Sequence, residues 1–320
     1  MKRKLAVLAV LLSAAFGLLA ANGVVNSTKN PMQVALLRWY TANQVPTSFP
    51  VGYEPVDVAF DGQSIWVTNF AGNIANVMKL RASDGAPLGT YPTGTAGVPS
   101  GIVFDGANIW VASRAGNNVT KLQASTGNVL GAYAVGTNPY GSMAFDGANI
   151  WVANFGSNNV TKLQASNGLV LGTYAVGSEP AGVAFDGTDI WVSNFGSNNV
   201  TKLSESGKVL GTFAVGSAPD GMAFDGTDMW VANAGSNNVT KLSLSGKTLG
   251  TFAVEGYPYG IAFDGANMWV SNFDSASVTE LSSSGAVLGT FAGGNEPLGI
   301  AFDGANIWVV DAGSEVVSKL

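Results

Sequence analysis

The chain has 320 residues, with 21 acidic against 15 basic ones and neither cysteine nor histidine. No disulfide can brace it, and serine triads and zinc sites of the usual histidine or cysteine kind are excluded. The first 23 residues hold three basic groups and no acid, so without them the net charge moves from −6 to −9. That balance argues against nucleic acid and anionic membrane surfaces as partners.

In chain order, Lys2, Arg3 and Lys4 precede an apolar run from Leu5 to Ala20, and Ala21-Asn22-Gly23 offers a small-residue cleavage site. This is the pattern of a secretory signal peptide over residues 1–23. It predicts a secreted, periplasmic or cell-surface protein of bacterial type, with no membrane insertion once the signal is removed. Residues 24–43 read as a linker or a short helix. Pro31 can start a helix, with Val34, Leu37 and Trp39 on its packing side.

From residue 44 to residue 320 the chain repeats itself. Trp-Val recurs at Trp66, Trp110, Trp151, Trp191, Trp230, Trp269 and Trp308, in steps of 44, 41, 40, 39, 39 and 39 residues. Each is preceded by Phe-Asp-Gly, with aspartates at 61, 105, 146, 186, 225, 264 and 303, and before that by a proline. A single unit holds four short runs rich in β-branched and aromatic residues, separated by Asp-Gly, Asn and Ser-Gly turns. Four strands per 40 residues or so, without helical periodicity, predict an all-β, seven-bladed β-propeller. The seventh unit stops at "VVSKL" and lacks a fourth strand, whereas "PTSFPVG" near the N-terminus aligns with fourth strands elsewhere. Residues 46–51 are therefore expected to complete the last blade and close the ring.

Units reading "FDGxxIWVxNxxSNNVTKL" resemble the secreted bacterial propellers of the NHL and YVTN repeat type, and share a blade pattern with the streptogramin (virginiamycin B) lyases. The latter resemblance implies opening of a cyclic depsipeptide by a catalytic histidine with a glutamate partner and a magnesium ion. This chain has no histidine to receive that role. A resemblance to gluconolactonase-like propellers would imply a divalent cation held by Glu, Asn and Asp.

The aspartates of Phe-Asp-Gly occur in every unit, so they read as caps of their own hairpin turns. Lys121, Lys162, Lys202 and Lys241 read as solvated outer charges, and the "NVT" triplets at Asn118, Asn159, Asn199 and Asn238 as turn-to-strand junctions. Function is expected where the units differ, on the face carrying the blade-to-blade loops and the second-to-third loops. Of the 14 acids outside the Phe-Asp-Gly turns, nine fall in these loops: Glu54, Asp57, Glu179, Asp220, Glu255, Asp274, Glu296, Asp311 and Glu315. Arg114 is their basic company, and Tyr53, Tyr140, Tyr257 and Tyr259 stand among them.

The expected binding residues are Arg114, Tyr140, Glu179, Asp220, Tyr259, Glu296 and Asp311. The reading favours a non-enzymatic scaffold for a protein, peptide or saccharide, with no cofactor assigned. Two alternatives stay open. One is a lyase or lactonase using carboxylates with calcium or magnesium, and the other is a purely structural surface protein.

Overall fold

The alternation in "Ile-Trp-Val" puts Ile and Val on one face of a strand and Trp on the other, so both faces must be covered. A ring of blades achieves this. The computed structural model describes residues 47–320 except 72–73 and 94–96. The expected signal segment at 1–23 and the linker or short helix at 24–43 lie outside the described residues. Seven four-stranded antiparallel sheets follow one another, as expected. Their innermost strands are Pro55–Phe60, Pro99–Phe104, Pro139–Phe145, Pro180–Phe185, Pro219–Phe224, Pro258–Phe263 and Pro297–Phe302.

The core lies between blades. Trp66 of blade 1 packs on Ile102, Ile109, Val111 and Leu122 of blade 2, and Trp308 of blade 7 packs on Val58, Ile65, Val67 and Leu80 of blade 1. Each Phe-Asp-Gly aspartate caps its turn and also holds the tryptophan. In blade 4, Asp186 Oδ1 accepts the N–H groups of Thr188 and Asp189 at 2.9 and 2.7 Å, while Oδ2 accepts the Trp191 indole N–H at 2.7 Å. The indole bond recurs in all seven blades at 2.7–2.8 Å.

The lysines depart from the sequence expectation. Lys121 and Lys202 are buried, not solvated, because each lies on a third strand where its alkyl stem crosses the tryptophan. Lys202 Nζ sits 4.8 Å above the Trp191 ring, pairs with Asp186 and Asp189 at 3.4 and 3.0 Å, and donates to the Leu244 carbonyl of the next blade at 2.9 Å. Lys79, Lys121, Lys162, Lys241 and Lys319 likewise reach a carbonyl in the following blade's third-to-fourth turn. Blade 6 carries Glu280 at this position, and Glu280 Oε1 accepts from Asn267 instead. Blade 7 takes its fourth strand from the other end of the chain, so no such turn stands there to receive a lysine. Accordingly Trp269 is the tryptophan of the series left partly uncovered.

Closure occurs as expected. Ser48–Pro50 pairs antiparallel with Val316–Lys319, setting Phe49 opposite Val317. Phe49 is buried, lies 5.5 Å from the Trp308 ring, and fills the place that Tyr or Phe takes in the other fourth strands. Its ring also covers Gly85, whose positive φ and absent Cβ admit that approach.

Two outcomes follow from this packing. Truncating Phe49 to alanine removes a buried aromatic worth about 3–5 kcal/mol. Calorimetry of Phe49→Ala should show a lower Tm, and a chain beginning at residue 53 should lose its single sharp transition; full-chain behaviour in both would refute closure. Burial opposes ionisation of Asp105, Asp146, Asp186, Asp225, Asp264 and Asp303, but indole and backbone N–H bonds outweigh it and hold each below the usual carboxylate range. The unfolded chain thus takes up these protons first. Their contribution is present above the ordinary value of 3.8 and is lost as pH falls through the lower folded values. An acid titration followed by tryptophan fluorescence should show steep, cooperative unfolding below that value.

Candidate functional site

In six innermost strands the ladder slips between the proline and the residue three places on, which frees two residues toward the channel, and in blade 3 it slips between Pro139 and Met143, which frees three. The residue just before the ladder resumes is glycine in five blades, where a Cβ would strike the backbone of the next blade, as Gly221 would strike Tyr259. In blade 3 it is Ser142, whose Oγ accepts the Val183 N–H of blade 4 at 3.2 Å. Blade 1 has Asp57 instead. The residue directly after the proline varies: Val56, Ser100, Tyr140, Ala181, Asp220, Tyr259 and Leu298. The repeat therefore fixes the channel's width and leaves one variable side chain per blade at its mouth.

These variable residues meet. The Tyr259 hydroxyl donates to the Tyr140 hydroxyl at 3.3 Å, joining blade 6 to blade 3 across the channel. Arg114, from the second-to-third loop of blade 2, stacks on Tyr140 with its guanidinium carbon 4.4 Å from the ring centre. Its Nε lies 3.5 Å from Asn138 Oδ1. The equivalent loop positions in blades 1, 3, 4 and 6 are Phe70, Phe155, Phe195 and Phe273. Phe155 contacts Tyr140 edge-on at 5.5 Å and Phe195 at 6.2 Å, and Phe273 lies 5.9 Å from Tyr257. An aromatic collar thus surrounds the two-tyrosine bar.

Beneath the bar is a cavity of about 70 Å³ lined by Asp57, Asp220, Tyr259, Met222, Ile261 and Ile300 among others. Asp57 Oδ1 accepts the Val58 N–H at 2.9 Å and Oδ2 accepts the Ile102 N–H of blade 2 at 3.1 Å. Burial pushes the Asp57 carboxyl up to about 7 despite these two bonds. Asp220 rises to about 7 as well, through burial and then the charge of Asp57. Burial raises Tyr140, Tyr257 and Tyr259 too, with Asp220 adding to each; for Tyr140 the Tyr259 bond and Arg114 partly oppose the rise.

Of the expected residues, the structure joins Arg114, Tyr140, Tyr259 and Asp220 at the channel. Glu179 and Glu296 sit in the blade-to-blade loops immediately before a proline, each in the left-handed region at φ 53° and 65°. The Glu179 N–H is held by Asn158 Oδ1 of blade 3 at 2.8 Å, and the Glu296 carbonyl accepts from Ala312 at 3.2 Å. Asp311 is buried at the end of its strand, where blades 1 and 3–6 have asparagine, and caps the Ser314 N–H at 3.1 Å. Asp57 is the channel residue that the sequence reading counts among the loop acids without placing it in the site. Its signal is that it stands at a position that is glycine in five blades and serine in blade 3.

The propeller fold matches that of solved structures. A streptogramin B lyase structure superposes with a TM-score of 0.72 at 18% identity, covering 83% of this chain and 92% of that one. Virginiamycin B lyase from Staphylococcus aureus gives 0.71 at 20% identity, covering 83% and 94%. A catalytically inactive form of that lyase with quinupristin gives 0.72 at 19%. This chain has the streptogramin lyase fold. Hydrazine synthase of Kuenenia stuttgartiensis gives 0.71 at 18%, so the same propeller serves unlike proteins. No family model matches the sequence, and no curated protein matches it significantly.

The histidine-containing set that the lyase resemblance implies is not reproduced in this chain. Among the described residues, no three acids converge on one point, and the chain has no histidine.

The raised carboxyls make Asp220 a cost to the fold at alkaline pH. With the folded value near 7 and the unfolded one near 3.8, the folded state holds more protons between them, so this contribution to stability falls as pH rises through that window. Asp220→Asn should raise Tm by a few degrees at pH 8 and change it little at pH 4. An equal effect at both values would contradict the burial argument.

Proposed function

We propose that the chain is a secreted, non-enzymatic binding propeller that takes a peptide, protein or saccharide partner at the mouth of its central channel. The observation that carries this reading is the meeting of Arg114, Tyr140 and Tyr259, which come from three different blades and from positions that the repeat leaves free. A purely structural ring has no need to bring three non-repeated residues into contact inside an aromatic collar. Aromatic rings with polar tips are common anchors at recognition sites. The lyase neighbour with quinupristin supplies one ligand class, the cyclic depsipeptide, for the test panel.

The test is a thermal-shift panel on the full chain with cyclic depsipeptides, cell-wall saccharides and short peptides. A ligand at 100 times its Kd adds about 2.7 kcal/mol to the folded state. A true ligand should shift the native protein and fail to shift Arg114→Ala and Tyr140→Ala, whose circular dichroism stays native. A shift indifferent to both substitutions would remove the mouth as the site. Magnesium-dependent opening of a depsipeptide or lactone by the native chain would replace this reading with the enzymatic one.

A further inference from the structure

The cavity below the tyrosine bar holds a specific imbalance. Asp220 is 4% exposed, and among the described residues no donor meets its carboxylate, although its backbone carbonyl is taken by Ser193 Oγ at 2.6 Å. Asp57 receives one backbone N–H on each oxygen, which leaves further lone pairs free. An unpartnered buried carboxylate that shares a cavity with a second, half-buried one is costly unless a cation meets them. Arg114 does not descend to them: its guanidinium is stacked on Tyr140 above.

We propose that this cavity binds one primary ammonium group, borne on a lysine side chain or alkylamine, between the carboxylates of Asp57 and Asp220. The inference rests on the channel-mouth reading of function and names the group that enters. An ammonium presents three donors without a fixed plane, which suits one unpartnered and one half-satisfied carboxylate. Calcium takes six to eight oxygens, and no third acid is present among the described residues. Magnesium, which binds through one or two carboxylates and keeps several waters, is separated by the experiment below. The remaining wall suits a methylene stem, since Met222, Ile261 and Ile300 line it. Tyr259 lines the cavity, and Tyr140 and Tyr257 stand near enough to Asp220 to feel its charge; tyrosine ring faces attract cations. The Tyr259 hydroxyl is engaged there by Tyr140 at 3.3 Å.

Binding of the ammonium requires ionised carboxylates, so it strengthens as pH rises. The titratable and charged groups facing Asp220 are Asp57 from blade 1, Tyr140 from blade 3 and Tyr257 and Tyr259 from blade 6, with Arg114 behind Tyr140. Blades 2, 4 and 7 place Ser100, Ala181 and Leu298 at this level, none of them charged.

The experiment is isothermal calorimetry of the full chain with Nα-acetyl-lysine N-methylamide, against the same compound acetylated on Nε. The charged form should bind at pH 8.5, at least tenfold more weakly at pH 5.5, and not detectably to Asp220→Asn or Asp57→Asn. The neutral form should give no heat. Equal binding of both forms, or binding that survives both substitutions, overturns the proposal. So does a response confined to magnesium or calcium chloride and lost in Asp220→Asn, which would make the cavity a metal site. If the amine fails while a panel ligand still depends on Arg114 and Tyr140, the ammonium site falls and the mouth remains the binding site. If no ligand depends on any of these residues, both readings fall.

Discussion

Everything in this ring depends on the bond from an indole N–H to the aspartate of the turn below it. A tryptophan wedged between two sheets buries a polar atom that must find an acceptor. The turn aspartate supplies it with one oxygen and holds the hairpin with the other, so one carboxylate fixes both a side chain and a backbone. That carboxylate is itself partly buried and needs relief, which in most blades comes from the lysine lying over the indole. The lysine then passes its remaining donors to a carbonyl of the following blade. Local turn chemistry is thereby converted into a joint between neighbours, and repetition of the joint produces the ring.

Because the joint is made on the face of the Phe-Asp-Gly turns, the opposite face is free of it. There the innermost strands come together through glycine against backbone, and the one variable position per blade projects at the mouth. Stability and recognition are thus separated along the channel axis. The blades can remain nearly identical over most of their length while the mouth gathers tyrosine, aspartate and arginine from distant points in the sequence.

The architecture was largely legible in the residues, since tryptophan spacing, turn signals and the displaced last strand each follow from strand geometry and edge pairing. The lysines were not. Sequence alternation cannot tell a solvated lysine from one whose stem crosses a buried indole, because both leave the same residue on the same strand. At the mouth, Asp220, Tyr140 and Tyr259 could be singled out as breaks in the repeat, but their meeting across the axis depends on blade order around a closed ring. Asp311 looks like the same kind of break, yet it stands in the asparagine row and caps a turn. Asp57 is the converse case. It reads as one more loop acid until the glycine contacts show that five of its counterparts have no room for any side chain.

The position of Glu280 has a mechanical consequence. The joint between blades 6 and 7 has no lysine stitch, and blade 7 is itself assembled from two ends of the chain. Two adjacent seams of the circle are therefore weaker than the rest, and a closed circle yields where its seams are weakest. Opening of the ring is therefore expected to begin in the sector around blade 7, with blades 2 to 5, joined by a lysine at every step, the stiffer arc. Asp57 stands in blade 1 at the edge of the soft sector, and Asp220 stands in blade 5 on the stiff one. The distance between the two carboxylates is then the dimension of the channel that ring opening changes first.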